Sequence, residues 1–498
     1  MHPIQPHPQL AEVENLAHET IVAISTPPGR GGIGIVRLSG PRAVPMAEAL
    51  VRLRHPLQHA SARFAEIYEP SAPGEPAAEG TSEAPRKLDE AVVTCFQAPR
   101  SYTGEDLVEI AAHGSPVVLQ MLVRAALAQG ARLARPGEFT ERAFLSGRLD
   151  LTQAEAVRDL IDAQTLYQAR VAAEQMGGAL SRRVQPAKQQ LVELIALLEA
   201  GIDFAEDDVD VTPNAQILTR IDAMQPILES LHRSFARGRL VHSGLTLAIV
   251  GRPNVGKSSL FNRLVERERA IVTAMPGTTR DLVSERVSLG GIPLELVDTA
   301  GLREGADEAE TIGIQKSREA LADAHLVMLV VEGNTPLSEE EQALAASLAG
   351  RRALLVRNKS DLVQQKSLLD TQPEALFASP PEASSEKESE TVTNIRAVST
   401  SALTGEGIAG LRETLLQMMQ AEGMGSESGM LTSLRHHEAV SAALAALGKA
   451  RAAAQAGIPH EMVLLDLYEA LRQLDSLTGE TTADDILNRI FSTFCIGK

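Results

Sequence analysis

The segment GRPNVGKS at residues 251–258 has the residue types and spacing of a phosphate-binding loop. It follows the apolar run LTLAIV and precedes SLFNRLV, which has a helical pattern. Glycines let backbone N–H groups approach phosphate oxygens, and the N-terminus of the following helix favours an anion. At this spacing Lys257 reaches the β and γ oxygens of a nucleoside triphosphate, and Ser258 binds Mg²⁺. The alternative interpretation is a glycine turn at the end of a strand.

Two later segments predict selection of guanine. NKSD at residues 358–361 follows the apolar run ALLVR. A carboxylate at Asp361 accepts hydrogen bonds from the N1–H and the 2-amino group of guanine, and adenine does not offer this pair of donors. SAL at residues 401–403 follows IRAVST and matches a short loop that contacts the base. Together with the phosphate loop, these segments predict a GTPase.

The segment DTAGLREG at residues 298–305 predicts contacts with the metal and the γ-phosphate. Asp298 ends an apolar run and would face Mg²⁺, and Gly301 would bond the γ-phosphate. In Ras-like GTPases the next residue is a glutamine that orients the attacking water, but here it is Leu302. Because leucine cannot orient water, we expect another group to assist hydrolysis.

Asn254 is a candidate for that group. Its amide oxygen could coordinate a monovalent cation beside the phosphates, together with backbone carbonyls of the loop after Thr273. A cation there would neutralise charge that develops between the β- and γ-phosphates, as an arginine finger does. In the same segment Thr279 is the predicted second ligand of Mg²⁺. The alternative is that Asn254 only caps the turn of the phosphate loop.

The runs that carry these motifs alternate with helical stretches. LTLAIV, LELVDTAG, LVMLVV and ALLVRNKSD recur in this way after Gly244, which predicts a doubly wound parallel sheet. Residues 20–150 mix β-like runs with one helical run and predict an α+β domain. Helical patterns begin at Thr152, in capping-box spacing with Glu155, and return near Ser433.

We therefore predict a discontinuous helical bundle with an α/β nucleotide domain inserted between its two parts. The predicted domains are residues 1–150 (N-terminal α+β), 151–243 and 426–498 (helical), and 244–425 (nucleotide-binding). Residues 71–87 are rich in Pro, Gly, Ser and Ala and predict a flexible insertion. Residues 372–394 are acidic and poor in apolar residues and predict a mobile loop.

The composition limits the class of protein and its partners. A chain of 498 residues suggests about three domains. Its 3% of aromatic residues, lack of tryptophan and net charge of -18 argue against a broad nucleic-acid surface, so we expect any RNA contact to be local. The sequence shows neither a secretory signal pattern nor an apolar run long enough for a membrane span. Two cysteines, Cys95 and Cys495, form no disulfide framework, which predicts a cytoplasmic protein.

Several longer segments resemble the MnmE (TrmE) family of tRNA modification GTPases. These are TIVAISTPPGRGGIGIVRLSG, YTGEDLVEIAAHGSP, RPGEFTERAFLSGRLDLTQAEAVRDLI, the region from the phosphate loop to DTAGLRE, and the terminal FCIGK. The resemblance covers essentially the whole chain. It implies a folate-binding and dimerising N-terminal domain, a discontinuous helical domain and an inserted Ras-like G domain.

The resemblance also implies a reaction and partners. In the family, GTP hydrolysis depends on potassium and is stimulated when two G domains meet. The family's proteins are homodimers, and this chain would form a heterotetramer with the FAD-dependent flavoprotein MnmG. Together the two proteins add a carboxymethylaminomethyl or aminomethyl group to C5 of the wobble uridine of tRNA. The implied one-carbon source is 5-formyl- or methylene-tetrahydrofolate.

Several residues match functional positions of the family. Asn254 matches a potassium-contacting asparagine, and residues 273–279 match its cation loop. Glu310 matches a glutamate that positions the attacking water through another water. Cys495 matches a C-terminal cysteine that is important for tRNA modification.

The folate positions are matched as well. Arg37, Glu109, Arg148 and Lys498 match folate-contacting residues, although many relatives have lysine where Arg148 stands. Leu403 stands where relatives often carry lysine or arginine. The predicted GTP contacts are Asn254, Val255, Gly256, Lys257, Ser258, Ser259, Thr273, Ala274, Met275, Pro276, Gly277, Thr278, Thr279, Asp298, Thr299, Ala300, Gly301, Asn358, Lys359, Asp361, Ser401, Ala402 and Leu403. The predicted metal ligands are Ser258 and Thr279 for Mg²⁺, and Asn254, Thr273, Met275 and Thr278 for K⁺.

Two other functions fit part of the sequence. A ribosome-assembly GTPase of the Era or EngA kind would share the GTP motifs but lack the RGGIGIVRLSG block and the cysteine-bearing tail. A folate-dependent transferase would use GTP only for regulation. Separately, Arg132, Arg135 and Arg142 form either an RNA contact or a salt-bridged face.

Overall fold

The computed structural model describes residues 19–69, 86–203, 212–268, 284–298, 324–348, 350–362, 396–420, 428–480 and 484–497. The chain divides into two compact units. The first contains the described parts of Met1–Arg158, Met176–Gly178 and Leu474–Lys498, and the second contains those of Asp159–Gln175 and Ala179–Gln473.

The secondary structure is mixed. The strands are β1 (Ile21–Ile24), β2 (Gly31–Ser39), β3 (Arg52–Leu53), β4 (Ser61–Tyr68), β5 (Lys87–Phe96), β6 (Leu107–Gly114), β7 (Arg132–Leu133), β8 (Leu245–Val250), β9 (Ser284–Leu289), β10 (Ile292–Asp298), β11 (Leu326–Glu332), β12 (Ala353–Asn358) and β13 (Arg396–Ser399). The helices are α1 (Ala43–Leu50), α2 (Pro116–Ala128), α3 (Glu138–Leu145), α4 (Leu151–Asp162), α5 (Leu166–Met176), α6 (Ala179–Asp203), α7 (Asn214–Ser243), α8 (Lys257–Glu268), α9 (Glu339–Ser347), α10 (Ile408–Gln420), α11 (Leu434–Gln455), α12 (His460–Thr478) and α13 (Asp484–Phe491).

The first unit is built on a seven-stranded sheet in the order β3-β4-β5-β6-β2-β1-β7. Neighbouring strands are antiparallel except β1 and β7, which are parallel. Alternate strand residues such as Val36, Leu38 and Ile110 are buried in one core with apolar residues of α1 and α2. The structure confirms the predicted α+β arrangement, but it has three helices in residues 20–150, α1, α2 and α3, where the sequence predicted only the run that became α2.

Helix α4 begins differently from the prediction. Asp150 Oδ1 accepts a hydrogen bond from the backbone N–H of Gln153, and Gln153 Oε1 accepts a hydrogen bond from the backbone N–H of Asp150. Both bonds are 2.9 Å long. These reciprocal bonds form a capping box two residues before the predicted pair Thr152 and Glu155. The prediction was wrong because Thr152 and Glu155 are buried inside the helix instead of capping it.

A six-stranded sheet lies in the second unit, in the order β13-β12-β11-β8-β10-β9. Its strands are parallel except for the antiparallel pair β9 and β10. Successive residues of β11 enter different cores: Met328 packs in the core that includes α8, and Leu329 in the core that includes α9. Burial on both faces confirms the predicted doubly wound sheet.

Helices that precede this sheet in the sequence pack against a helix that follows it. Helix α7 lies between α6 and α11 and approaches the chain before α11 closely, because a Cβ at Gly238 would lie 2.0 Å from Leu431 O. Six residues after Gly238, α7 has ended and the chain passes into β8 through Gly244 (φ 71°). The predicted discontinuous helical domain is thus confirmed.

The two predicted loop segments lie outside the described residues, except at one end of the first. Lys87 is already the first residue of β5, so the predicted insertion extended one residue too far. Among the described helices, none is long and apolar enough to cross a membrane.

Candidate functional site

The nucleotide motifs lie at one edge of the six-stranded sheet. The phosphate loop follows β8, Asp298 ends β10, Asn358 ends β12, and residues 400–403 follow β13. These four strands are parallel, so their carboxyl ends share an edge. The order of strands reverses beside β8, whose neighbours are β10 and β11, and ligands of such sheets bind at this switch point.

The phosphate loop requires glycine where it approaches the rest of the domain. Gly256 has φ 94°, and a Cβ there would lie 2.2 Å from Asn358 Nδ2. Lys257 is 6% exposed, and its Nζ donates to the carbonyls of Gly251 and Arg252 at 2.9 and 2.8 Å. Its ammonium group therefore lies inside the curve of the loop, and exposed Ser258 stands in the first turn of α8.

Asn254 is exposed at the tip of this loop and has a left-handed backbone (φ 66°). Asparagine tolerates this conformation better than most residues. The backbone thus gives one reason for an asparagine here, and an exposed side-chain amide on the phosphate loop gives another. The geometry is compatible with both interpretations that the sequence offered.

An ion pair ties the loop to α9. Arg252 Nε lies 3.4 Å from Glu341 Oε1, and Glu341 is 4% exposed. Glu341 also completes a capping box with Ser338 at the start of α9. Sequence reasoning missed this pair.

Asn358 joins the phosphate loop to the base loop at residues 400–403. Its Nδ2 donates to Val255 O at 2.9 Å, and its Oδ1 accepts the backbone N–H of Ala402 at 3.0 Å. Asn358 is 1% exposed. The side chain therefore holds two loops in register within the protein.

Asp361, Lys359 and Leu403 are more accessible than Asn358, whereas Ser401 is buried. Asp361 is exposed, and its Oδ1 accepts a hydrogen bond from Ser401 Oγ at 2.5 Å. Lys359 Nζ lies 2.8 Å from Glu332 Oε1. Leu403 is 78% exposed. The structure thus brings Asp361 and Ser401 together, and the serine orients the carboxylate predicted to bind guanine.

Part of the predicted site lies outside the described residues. This applies to Thr273, Ala274, Met275, Pro276, Gly277, Thr278, Thr279, Thr299, Ala300, Gly301, Leu302, Glu310 and Lys498. Of the predicted metal ligands, Ser258 and Asn254 are described.

The second predicted site surrounds Arg37 on the seven-stranded sheet. Arg37 and Glu109 are opposite each other on β2 and β6, and Arg37 Nε and Nη2 donate to Glu109 Oε1 at 2.9 and 2.7 Å. The guanidinium carbon lies 5.5 and 6.0 Å from the ring centroids of Phe139 and Tyr102. Burial raises the pKa of Tyr102, so this phenol stays neutral beside the arginine.

The C-terminal tail is bound at the same place. The Gly497 carbonyl accepts hydrogen bonds from Arg37 Nη1 at 3.3 Å and from Ser25 Oγ at 2.9 Å. Ile496 forms an antiparallel bridge with Pro136, which sets exposed Cys495 beside this bridge. Arg37, Glu109 and the tail therefore come together.

Arg148 follows α3 and is exposed, and its Cγ lies 3.7 Å from where a Cβ at Gly104 would stand. This contact places it against the loop that carries Tyr102. The tail itself ends a short core in which Phe494 packs beside Phe491, with ring centroids 5.7 Å apart.

The three arginines considered as an RNA contact form ion pairs. Arg142 is 3% exposed and bonds Glu105 at 2.9 Å and Glu138 at 3.1 Å. Arg132 pairs with Glu138 and with Glu19, and Arg135 pairs with Glu141. The salt-bridged interpretation is therefore correct for this cluster.

Glu138 is the centre of that network. It is fully buried, which by itself would raise its pKa, but hydrogen bonds from Arg132 and the Arg135 N–H and the charge of Arg142 lower the pKa below its usual value. We expect Glu138→Gln to destabilise the first unit by roughly 3–5 kcal/mol at neutral pH, because two arginines lose a buried counter-charge.

The same shift predicts a pH dependence. A lowered folded-state pKa gives stability that is fully present above the unfolded-state pKa of about 4.3 and is lost as the pH falls through the folded value. The difference between Glu138→Gln and the wild type should therefore shrink in acid, as measured by thermal unfolding at several pH values. Glu90→Gln, which breaks the exposed pair with Lys87, is the control and should have little effect on stability, because solvent screens exposed ion pairs. Equal effects of the two changes would contradict the prediction.

The fold and the site define a P-loop GTP-binding protein whose nucleotide domain interrupts a helical domain. The family model for the MnmE helical domain matches residues 151–495, and that for the GTP-binding protein TrmE N-terminus matches residues 20–148. The tRNA modification GTPase MnmE of Koribacter versatilis is 57% identical over 487 residues, which are 96% of this chain and 99% of that protein. The MnmE proteins of Pseudomonas fluorescens (41% identical; 97% and 100% covered) and Acetivibrio thermocellus (36%; 96% and 99%) are also similar. The chain belongs to the MnmE family of tRNA modification GTPases.

Proposed function

We propose that this chain is a potassium-activated GTPase that modifies the wobble uridine of tRNA. With the FAD-dependent flavoprotein MnmG, it would add a carboxymethylaminomethyl or aminomethyl group at C5, with 5-formyl- or methylene-tetrahydrofolate as the one-carbon donor. The observation that carries the GTPase part is the arrangement of the phosphate loop, Asp298, Asp361 and Ser401 along one sheet edge. Family membership supports the tRNA part.

The chemistry of the donors suits the metals. Ser258 lies at the start of α8, and Asp298 is the last residue of the adjacent parallel strand. Serine and aspartate are residue types that supply the oxygen donors that Mg²⁺ prefers. A bound Mg²⁺ would neutralise charge on the β- and γ-phosphates. The exposed amide of Asn254 offers an oxygen for K⁺. Thr279, Thr273, Met275 and Thr278 would complete the two sets, and Glu310 would position the attacking water.

Asp361→Asn should change the preferred base. The carboxylate would lose both charge-assisted bonds to guanine, so we expect the KM for GTP to rise about 100-fold. Xanthine has a carbonyl in place of the 2-amino group, and an asparagine amide can donate to it. The KM for XTP should therefore fall in the same variant, measured by phosphate release with each nucleotide.

Asp361→Ala is the matched control for that change. It removes the carboxylate without adding a donor, so it should lose GTP and gain nothing for XTP. If Asp361→Asn keeps the wild-type KM for GTP, Asp361 does not select the base.

The folate part of the proposal is supported by the residues around the tail. Arg37, Arg148 and Lys498 offer positive charge for the carboxylates of a tetrahydrofolate, and Glu109 offers an acceptor for N–H groups of its ring system. Arg37 and Glu109 are directly paired on neighbouring strands, and the tail that carries Cys495 is fixed to Arg37. We propose that folate binds beside this tail.

The remaining assignments are also proposals. We propose a cytoplasmic homodimer that binds tRNA and forms a heterotetramer with MnmG, and domain boundaries near residues 150, 243 and 425. Tetrahydrofolate is expected to bind the N-terminal domain, and GTP the inserted domain.

Nucleoside analysis tests the whole proposal. Bulk tRNA from a bacterial strain that lacks its own family member should lose the aminomethyl and carboxymethylaminomethyl wobble uridines, and expression of this chain should restore them. A strain in which the chain restores growth or ribosome assembly but not these nucleosides would instead support an assembly GTPase.

A further inference from the structure

We propose that Arg263, on α8, is a positioning residue for the loop that binds guanine, and that it thereby sets the affinity for GTP and GDP. The inference rests on the proposed GTPase function and extends it to a residue outside the predicted nucleotide contacts.

Arg263 holds the base loop by its backbone. Its Nε donates to Ala402 O at 2.9 Å, and its Nη2 donates to Leu403 O at 2.8 Å. The planar fork of a guanidinium matches two such neighbouring acceptors, which a lysine ammonium does not. Leu403 is 78% exposed and has no polar side-chain group. The next two residues are held within the loop, because the Thr404 N–H donates to Ser401 Oγ at 3.1 Å and the Gly405 N–H donates to Ser401 O at 2.8 Å. The bonds from Arg263 add a connection between this loop and α8.

The hydrogen bonds of Ala402 connect the base loop to the phosphate loop at two points. Its carbonyl accepts from Arg263, six residues after Lys257 on the helix that begins the phosphate site. Its N–H donates to Asn358, which in turn donates to Val255 O. Both polar backbone groups of Ala402 are therefore held by side chains connected to the phosphate loop.

These hydrogen bonds extend, through the neighbouring Ser401, to the carboxylate that is proposed to bind guanine. Ser401 precedes Ala402, and its hydroxyl donates to Asp361 Oδ1 at 2.5 Å. A shift of the loop would therefore turn the carboxylate away from the N1–H and 2-amino groups of the base. Arg263 would contribute to binding by keeping this loop ordered before the nucleotide arrives, which lowers the entropy cost of association.

The test compares Arg263→Met with the wild type in the full-length chain. We expect the dissociation constant of a fluorescent GDP analogue to rise ~10-fold, mainly through faster dissociation, while kcat at saturating GTP changes less than about 2-fold. Arg263→Lys should be intermediate, because an ammonium can satisfy one carbonyl but not bridge two. Arg396→Met removes the same charge from β13, where Arg396 bonds Gln417, and should leave GDP affinity unchanged.

Three results would overturn the inference. In the first, Arg263→Met binds GDP as tightly as the wild type. In the second, kcat falls while affinity stays constant, which indicates a general structural role. In the third, Arg263→Lys melts at the wild-type temperature and also keeps full affinity, which shows that bridging is not needed; this variant decides the question if Arg263→Met melts early. A wild-type chain that binds no GDP overturns the proposed function itself.

Discussion

Asn254→Ala is expected to abolish the advantage of K⁺ over Na⁺ in GTP turnover and to reduce kcat in K⁺ roughly 100-fold. The reason lies in the chain's own residues: Leu302 has no polar group to offer the attacking water, so charge that develops between the β- and γ-phosphates needs another positive neighbour. Removal of one such preorganised electrostatic contact typically costs about 100- to 1000-fold in kcat. Turnover at saturating GTP, in KCl and in NaCl of equal ionic strength, measures the effect.

Asn254→Gly separates the two roles that the geometry allows for this residue. Asn254 has φ 66°, a conformation that glycine adopts freely and alanine does not. If only the turn matters, the glycine variant should keep its response to K⁺, whereas a cation ligand at Asn254 predicts that both variants lose it. Equal wild-type rates in the two salts would remove the cation mechanism altogether.

The sequence predicted those parts of the GTP site that consist of short motifs directly after a strand. Strand-end motifs such as NKSD are read directly, because parallel strands bring their carboxyl ends to one edge. The bonds of Arg263 join residues 139 and 140 positions apart, and the pair Arg252 and Glu341 likewise depends on how α9 packs. No spacing rule connects such residues before the fold is known.

The error at the start of α4 has a local cause. Asp150 with Gln153 and Thr152 with Glu155 both fit a capping pattern. Burial decides between them, since Thr152 is 1% and Glu155 is 7% exposed. A sequence pattern alone does not contain that choice.

Gly497→Val is expected to abolish wobble-uridine modification while GTP turnover stays near the wild-type rate. Gly497 has φ 95°, and a Cβ there would lie 2.4 Å from Ile24 O, a backbone atom that cannot move aside cheaply. A valine would therefore expel the tail and break the bonds from Ser25 and Arg37 to the Gly497 carbonyl. Cys495 would then lose its fixed place beside the proposed folate site.

This substitution is a sharper test than removal of residues 494–498. Phe494 is 6% exposed and packs in the core with Phe491, so deletion would also damage the fold of the first unit. Gly457→Val is the matched control, because Gly457 has a similarly positive φ of 69° but no atom within 4 Å of the point where a Cβ would stand. It should show the cost of backbone strain alone and keep modification.

Nucleoside analysis and GTPase assays on each variant measure the two activities separately. If Gly497→Val retains full modification, the seated tail has no part in the chemistry. The tail contacts Arg37 and Ser25 in the first unit, whereas the phosphate loop belongs to the second, so we expect the two activities to be separable. A Gly497→Val variant that also loses GTP turnover would contradict this expectation.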